Sequence, residues 1–140
     1  MNDPSHRTSR ARSGSWWLLV VLIAAIASLA EASTWRVYGH TWDEPEHLAA
    51  GLELVDQGRY EYDVQHPPLA RVLIAIGPYL AGARSLGTPP PDGTPEGVRI
   101  LYGSGRYDWY LTLARLGTLP FISVLVAAAW LWAGPTTIAS

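Results

Sequence analysis

The amino-acid sequence predicts an all-α membrane protein, with two transmembrane helices flanking an extracytoplasmic loop that carries short amphipathic interfacial helices. Three observations lead there. Apolar residues make up 49% of the 140-residue chain and are gathered into blocks rather than spread through one mixed core. Two of those blocks, the uncharged run Ser13–Ala30 and the run Leu111–Trp132 with the single charge Arg115, approach or exceed the roughly 20 residues needed to cross a bilayer. Between them lies the polar stretch Thr41–Leu69, TWDEPEHLAAGLELVDQGRYEYDVQHPPL, which opens with the acidic pair Asp43-Glu44 and closes with the rigid His66-Pro67-Pro68.

Residues 1–15 carry Arg7, Arg10 and Arg12 among Ser, Thr, Asn and Pro, a composition that buries too little apolar surface to fold alone, so a disordered cytoplasmic tail is expected. Residues 16–34 follow as the first transmembrane helix. Its eight Leu, Ile or Val residues contribute about −2 to −5 kcal/mol to insertion. The basic start, apolar centre and Ala30-Glu31-Ala32 also fit a cleavable secretory signal, whereas Trp35 and Tyr38 suit the aromatic belt of a retained helix. In either case the arginines precede the segment, which places the N-terminus in the cytoplasm and residues 35–109 outside. Residues 110–132 form the second span, with aromatic residues at both ends, and residues 133–140 return to the cytoplasm as an end that reads as truncated.

Within the loop, Leu48, Leu52 and Val55 recur at helical spacing from Asp43 to Gln57, and Gly58 offers a stop. Glu44, Pro45 and Glu46 suit a first turn, where carboxylates meet the positive end of the helix dipole. The pattern predicts an amphipathic helix on the membrane surface. Arg59–Gln65 reads as an extended connector that ends where Pro67 forces its predecessor out of the α region. Leu69, Val72, Leu73, Ile76 and Leu80 give a second apolar helix, too short to span and kinked at Pro78. Gly82–Gly97, rich in Pro and Gly, reads as a flexible surface loop.

Composition removes some chemistries. The absence of cysteine excludes disulfides and thiolate metal sites. A formal net charge of −2, with every basic residue an arginine, gives no basic surface for nucleic acid. Adjacent carboxylates outside a membrane and an arginine one turn inside a span suit a reaction on a phosphate-bearing lipid: the carboxylate accepts a proton from an incoming hydroxyl and the guanidinium holds the departing phosphate. Each residue also has a simpler reading. Arg115 can snorkel to the headgroups, and Asp43 and Glu44 can serve capping boxes, Asp43 with Glu46 and Thr41 with Glu44. His47, four residues after Asp43, shares its helical face, but two ligands do not make a metal site.

With Trp42-Asp43-Glu44, His47, Gly51, Gly58, Asp63 and His66-Pro67-Pro68-Leu69, the sequence resembles membrane glycosyltransferases of the GT-C superfamily, in the branch of protein O-mannosyltransferases and aminoarabinose transferases. The resemblance runs from about Trp16 to Trp132. It implies sugar transfer from a polyprenyl-phosphate-linked donor to a protein, lipid or glycan hydroxyl at the outer face of the membrane. It casts Asp43 as catalytic base with Glu44 as its partner, His66 and Arg115 near the lipid phosphate with His47 beside them, and Pro67 and Pro68 as the structural floor. Such enzymes have many more spans, so the chain reads as an N-terminal portion. Beyond the lipid-linked donor no cofactor is implied, and a requirement for a divalent metal is left open. All-arginine, alanine-rich usage suggests a bacterial source, hence the inner membrane. The alternative from another class is a non-catalytic two-span protein whose outer loop binds an envelope partner.

Overall fold

Residues 9–90 and 93–133 are described by the computed structural model, and among them every regular element is helical. In order these are α1 (Ser9–Thr34), α2 (Glu44–Leu52) continued by a π-type turn (Glu53–Gln57), α3 (Pro68–Leu80), α4 (Gly93–Gly103), α5 (Tyr107–Leu116) and α6 (Leu119–Ala133). The chain divides into two compact units, one of α1 with α6 and the other of Thr34–Leu119.

In the first unit, no residue of Trp17–Thr34 is buried, although the segment is almost entirely apolar. It and the run Tyr107–Trp132 are long and apolar enough to cross a membrane. The Trp17 and Trp130 rings lie 4.7 Å apart between centroids. Two details depart from expectation. Helix α1 begins at Ser9, so Ser9–Ser15, read as disordered, are helical: once the apolar run has nucleated a helix, adding Arg10, Ala11 and Arg12 costs little. The second run is not one helix. It breaks at Gly117-Thr118, where the Gly117 and Thr118 amides turn back to the Ala114 and Arg115 carbonyls. Pro120 cannot donate to the Leu116 carbonyl, and its ring would collide with it. Helix α6 alone, 15 residues long, measures only about 22 Å. The expected segments 1–8 and 134–140 lie outside the described residues.

The second unit is organised around α2. Its first turn holds Glu44, Pro45 and Glu46 as expected, and the run stops at Gly58 with φ 68°. It does not lie on a surface, however. Leu48, Ala49, Ala50, Gly51, Leu52 and Glu53 are all buried, because α4 covers one side of the helix and α3 the other. The short side chains at 49–51 let both neighbours approach. A Cβ on Gly51 would collide with the Arg71 carbonyl of α3, and one on Gly97 of α4 with the Pro45 carbonyl. The amphipathic reading failed because small residues on the polar-looking face of a helix admit a second neighbour.

Helix α3 turns Arg71, Ala75 and Pro78 inward and packs against both α2 and α5, while Leu69, Ile76 and Leu80 stay exposed. The core joins Leu48, Leu52, Ala75, Ile100, Leu101, Tyr110 and Leu111. The stretch read as a flexible loop is fastened by side chains over its described residues. Helix α4 starts at Gly93, and the fully buried Glu96 in its first turn collects Ser85 Oγ at 2.8 Å, the Leu86 and Thr88 amides at 2.9 and 2.8 Å, and the Tyr62 hydroxyl at 2.7 Å. Thr94-Pro95-Glu96 carried the signal for a helix start.

Burial opposes ionisation of Glu96, but the bonds from Thr88 and Tyr62 outweigh it and take the carboxyl down to about 2, while burial and Glu96 push the Tyr62 hydroxyl up to about 12. A lowered folded-state value means that this stabilisation is complete above the ordinary pH 4.5 and is lost as pH falls towards 2. The loss amounts to about 3 kcal/mol, read as a fall in urea midpoint of the detergent-solubilised protein, and Glu96→Gln flattens that pH dependence. Independently, Gly97→Ala forces α2 and α4 apart and costs about 1–3 kcal/mol, measurable in the same unfolding series.

Candidate functional site

Thr41, Asp43, Glu44, His47 and Arg115 line one cavity of about 170 Å³, with Leu48, Ile74, Leu101 and Leu111 among the apolar residues of its wall. The acidic pair stands at the N-terminus of α2, and its two members have different environments. Asp43 occupies the N-cap position but makes no capping bond. Its carboxylate accepts from the Thr41 hydroxyl at 2.8 Å, and its side chain is 62% exposed. Glu44 is the residue that reaches back, accepting from the Thr41 amide at 2.6 Å, which is half of the capping box expected between these positions.

Glu44 is otherwise committed to Arg115. The guanidinium donates from Nε to Glu44 Oε1 at 2.7 Å and from Nη2 to Oε2 at 2.9 Å. Nη1 donates to the Trp35 carbonyl at 2.8 Å and the Tyr38 carbonyl at 3.3 Å, and Nη2 to the Gly39 carbonyl at 2.8 Å. A guanidinium has five N–H donors, and all five have acceptors within the chain. Arg115 therefore neither snorkels nor presents a free donor; it ties α5 to the start of α2 and to the turn that precedes it.

Charge states follow from these contacts. The Thr41 hydroxyl holds the Asp43 carboxyl below the usual carboxylate range against a smaller effect of burial. Burial opposes the charge of Glu44, yet its bond with Arg115 prevails and lowers it. His47 Nε2 lies 3.5 Å from Asp43 Oδ2. Burial and the nearby Arg71 push His47 below the ordinary histidine value although Asp43 pulls the other way, so the ring is neutral at pH 7. Its Nδ1 is buried without a partner. The arrangement offers an accessible ionised carboxylate and a neutral imidazole on one helical face, as the i, i+4 spacing implied. Among the described residues no three His, Cys, Asp or Glu side chains converge as metal ligands.

His66 does not line the cavity. Its ring stands 6.0 Å from that of His47, on the side of α2 where α3 begins. Pro67 is extended at the N-cap of α3 and Pro68 opens the helix, so the two prolines set the turn that carries His66. Sequence reading gave no role to two residues found here. Asp63 bonds His66 Nδ1 through both oxygens at 2.9 and 3.0 Å and pairs with Arg71, whose side chain is only 4% exposed. A signal for Arg71 existed: an arginine among Leu69, Val72, Leu73 and Ile76 on a helix needs a buried acceptor.

Among the described residues, fold and site define a helical protein with two apolar runs long enough to cross a membrane, the second broken at Gly117-Thr118, and a compact polar-centred unit between them in sequence. No protein-family model, no curated protein and no solved structure matches the chain. The likeness to membrane glycosyltransferases therefore rests on its own residues.

Because Glu44 is partly buried and Arg115 nearly so, Arg115→Met strips the carboxylate and three carbonyls of their donors. The substitution destabilises the Thr34–Leu119 unit by about 3 kcal/mol, seen as a lower unfolding midpoint in detergent. Glu44→Gln, which keeps an acceptor for the guanidinium, costs less in the same measurement.

Proposed function

We propose that the chain is the N-terminal, base-bearing portion of an integral membrane glycosyltransferase that moves a sugar from a polyprenyl-phosphate donor to an acceptor hydroxyl at the outer membrane face. One observation carries the reading: of the acidic pair, Glu44 is consumed by the fold, whereas Asp43 is ionised, exposed and set at the rim of the cavity. An ionised carboxylate open to the cavity can reach and accept a proton from an incoming hydroxyl.

In this reaction the acceptor oxygen attacks the anomeric carbon as Asp43 takes its proton. The bond to the lipid phosphate breaks from the opposite face, with inversion, and the phosphate leaves as an anion. The Thr41 hydroxyl orients the Asp43 carboxylate, and His47, neutral beside it, accepts or donates a hydrogen bond to the sugar or the acceptor. Since the donors of Arg115 are spent on the chain itself, its part is to hold Glu44 and the N-terminus of α2, and the phosphate contact falls to His66. The two long apolar helices supply the membrane that a polyprenyl donor needs. The cytoplasmic N-terminus and bacterial inner membrane expected from the sequence belong to the same proposal.

In membranes expressing the longest open frame that contains the chain, Asp43→Asn should lower transfer from a polyprenyl-phosphate sugar at least about 100-fold and leave the melting temperature within error. Near-normal transfer by that variant would remove Asp43 from the mechanism. Absence of transfer in the unmodified protein would leave the outer loop as a binding surface for an envelope partner.

A further inference from the structure

Behind the exposed ring of His66 lies a carboxylate that is itself held from behind. The side chain of His66 is 58% exposed and that of Asp63 10%. Arg71 pairs with Asp63 from the protein side, while the Tyr60 hydroxyl donates to the His66 carbonyl at 2.9 Å. Backbone and ring are thus both fixed, on a turn stiffened by Pro67 and Pro68. Burial works against the charge of Asp63, but its bonds to His66 and Arg71 hold the carboxyl below the usual range, so it is ionised at neutral pH. An ionised carboxylate only accepts, so the contact with His66 requires the proton on Nδ1. Nε2 is then the ring atom left over, and it makes no hydrogen bond among the described residues.

We infer that Asp63 and Arg71 are positioning residues that keep a proton on His66 Nδ1 and fix the ring, so that in its doubly protonated form it presents Nε2–H to a phosphate oxygen. The tautomer follows from the contacts alone; the phosphate as the ligand rests on the function proposed above. When the ring is doubly protonated, Nε2–H makes a charge-assisted bond to the phosphate, and Asp63 balances the charge. Arg71 keeps Asp63 in place, and its own Nε is buried without a partner, so Arg71 acts through the carboxylate and not on the ligand. The shared chemistry is a phosphate monoanion or dianion, whether on a lipid or free in solution.

The test is long-range proton–nitrogen spectroscopy of the histidine side chains in the full chain in detergent micelles, at a pH at which the His66 signals are those of a neutral ring. His66 is expected as the Nδ1–H tautomer; Asp63→Glu preserves this and Asp63→Asn abolishes it. An Nε2–H tautomer in the unmodified protein overturns the inference, whatever the transfer assay shows. Thermal melts accompany each variant. Where Asp63→Asn fails to fold, Arg71→Gln is the second variant, expected to mix the tautomers, and an unmixed Nδ1–H ring in it removes Arg71 from the role.

Polyprenyl phosphate in the micelles and inorganic phosphate then serve as probes, titrated at a lower pH at which the His66 signals are those of the doubly protonated ring. A shift of His66 Nε2 with the lipid alone assigns the site to a lipid phosphate, a shift with both to phosphate in general, and a shift with neither overturns the ligand. In the transfer assay Asp63→Asn raises the donor KM about tenfold with little change in kcat, the size expected for one charged hydrogen bond. An unchanged KM overturns the role in donor binding. If the unmodified protein transfers no sugar, the enzymatic reading fails by itself, and the tautomer and phosphate titration still decide this inference.

Discussion

The Arg115 guanidinium is the interaction on which the second unit depends. It is placed in the last turn of α5, buried, and its five donors meet a carboxylate and three backbone carbonyls. Burying a charge is costly unless it is paired and fully hydrogen-bonded, and here both conditions hold. The turn Trp35–Gly39, which has no regular structure to satisfy its carbonyls, is thereby fixed against α5, and the first turn of α2 with it. Asp43 inherits its position. Because Glu44 takes the guanidinium, its neighbour is left to face the cavity.

A second polar cluster lies on the opposite side of His47. There Asp63 joins His66 to Arg71 across the start of α3, and the two clusters meet at the His47 ring, half-buried between Asp43 and His66. Close contact of α2 with α3 at Gly51 makes this meeting possible, since a side chain there would separate His47 from the helix that carries Arg71. Backbone packing and site geometry are in this sense one constraint. Buried polar groups of this kind tolerate little change: removing one partner strands another in a medium of low dielectric.

The apolar helices raise a different problem. A helix this apolar with nothing buried, as over Trp17–Thr34, is long enough to cross a membrane, where a helical backbone is satisfied internally. The second unit has the opposite character, with a defined core, four buried charged residues among those described and loops fastened by side chains such as Glu96. The break at Gly117-Thr118 falls where one character gives way to the other.

By itself the sequence determined the helical class, the two apolar runs, the acidic first turn of α2 and its stop at Gly58, because periodicity, proline placement and charge near helix ends act over a few residues. It named Asp43, Glu44, His47, His66 and Arg115, and four of these line one cavity. Only the family resemblance separated Asp43 from Glu44; the residues themselves, adjacent and chemically alike, did not. That distinction depends on Arg115, 71 residues away along the chain from Glu44. Nor could it see that α2 is covered on both sides, that Glu96 gathers a distant loop, or that Arg71 and Asp63 stand behind His66. Each of these is a contact between segments, and only tertiary packing decides which donor reaches which acceptor.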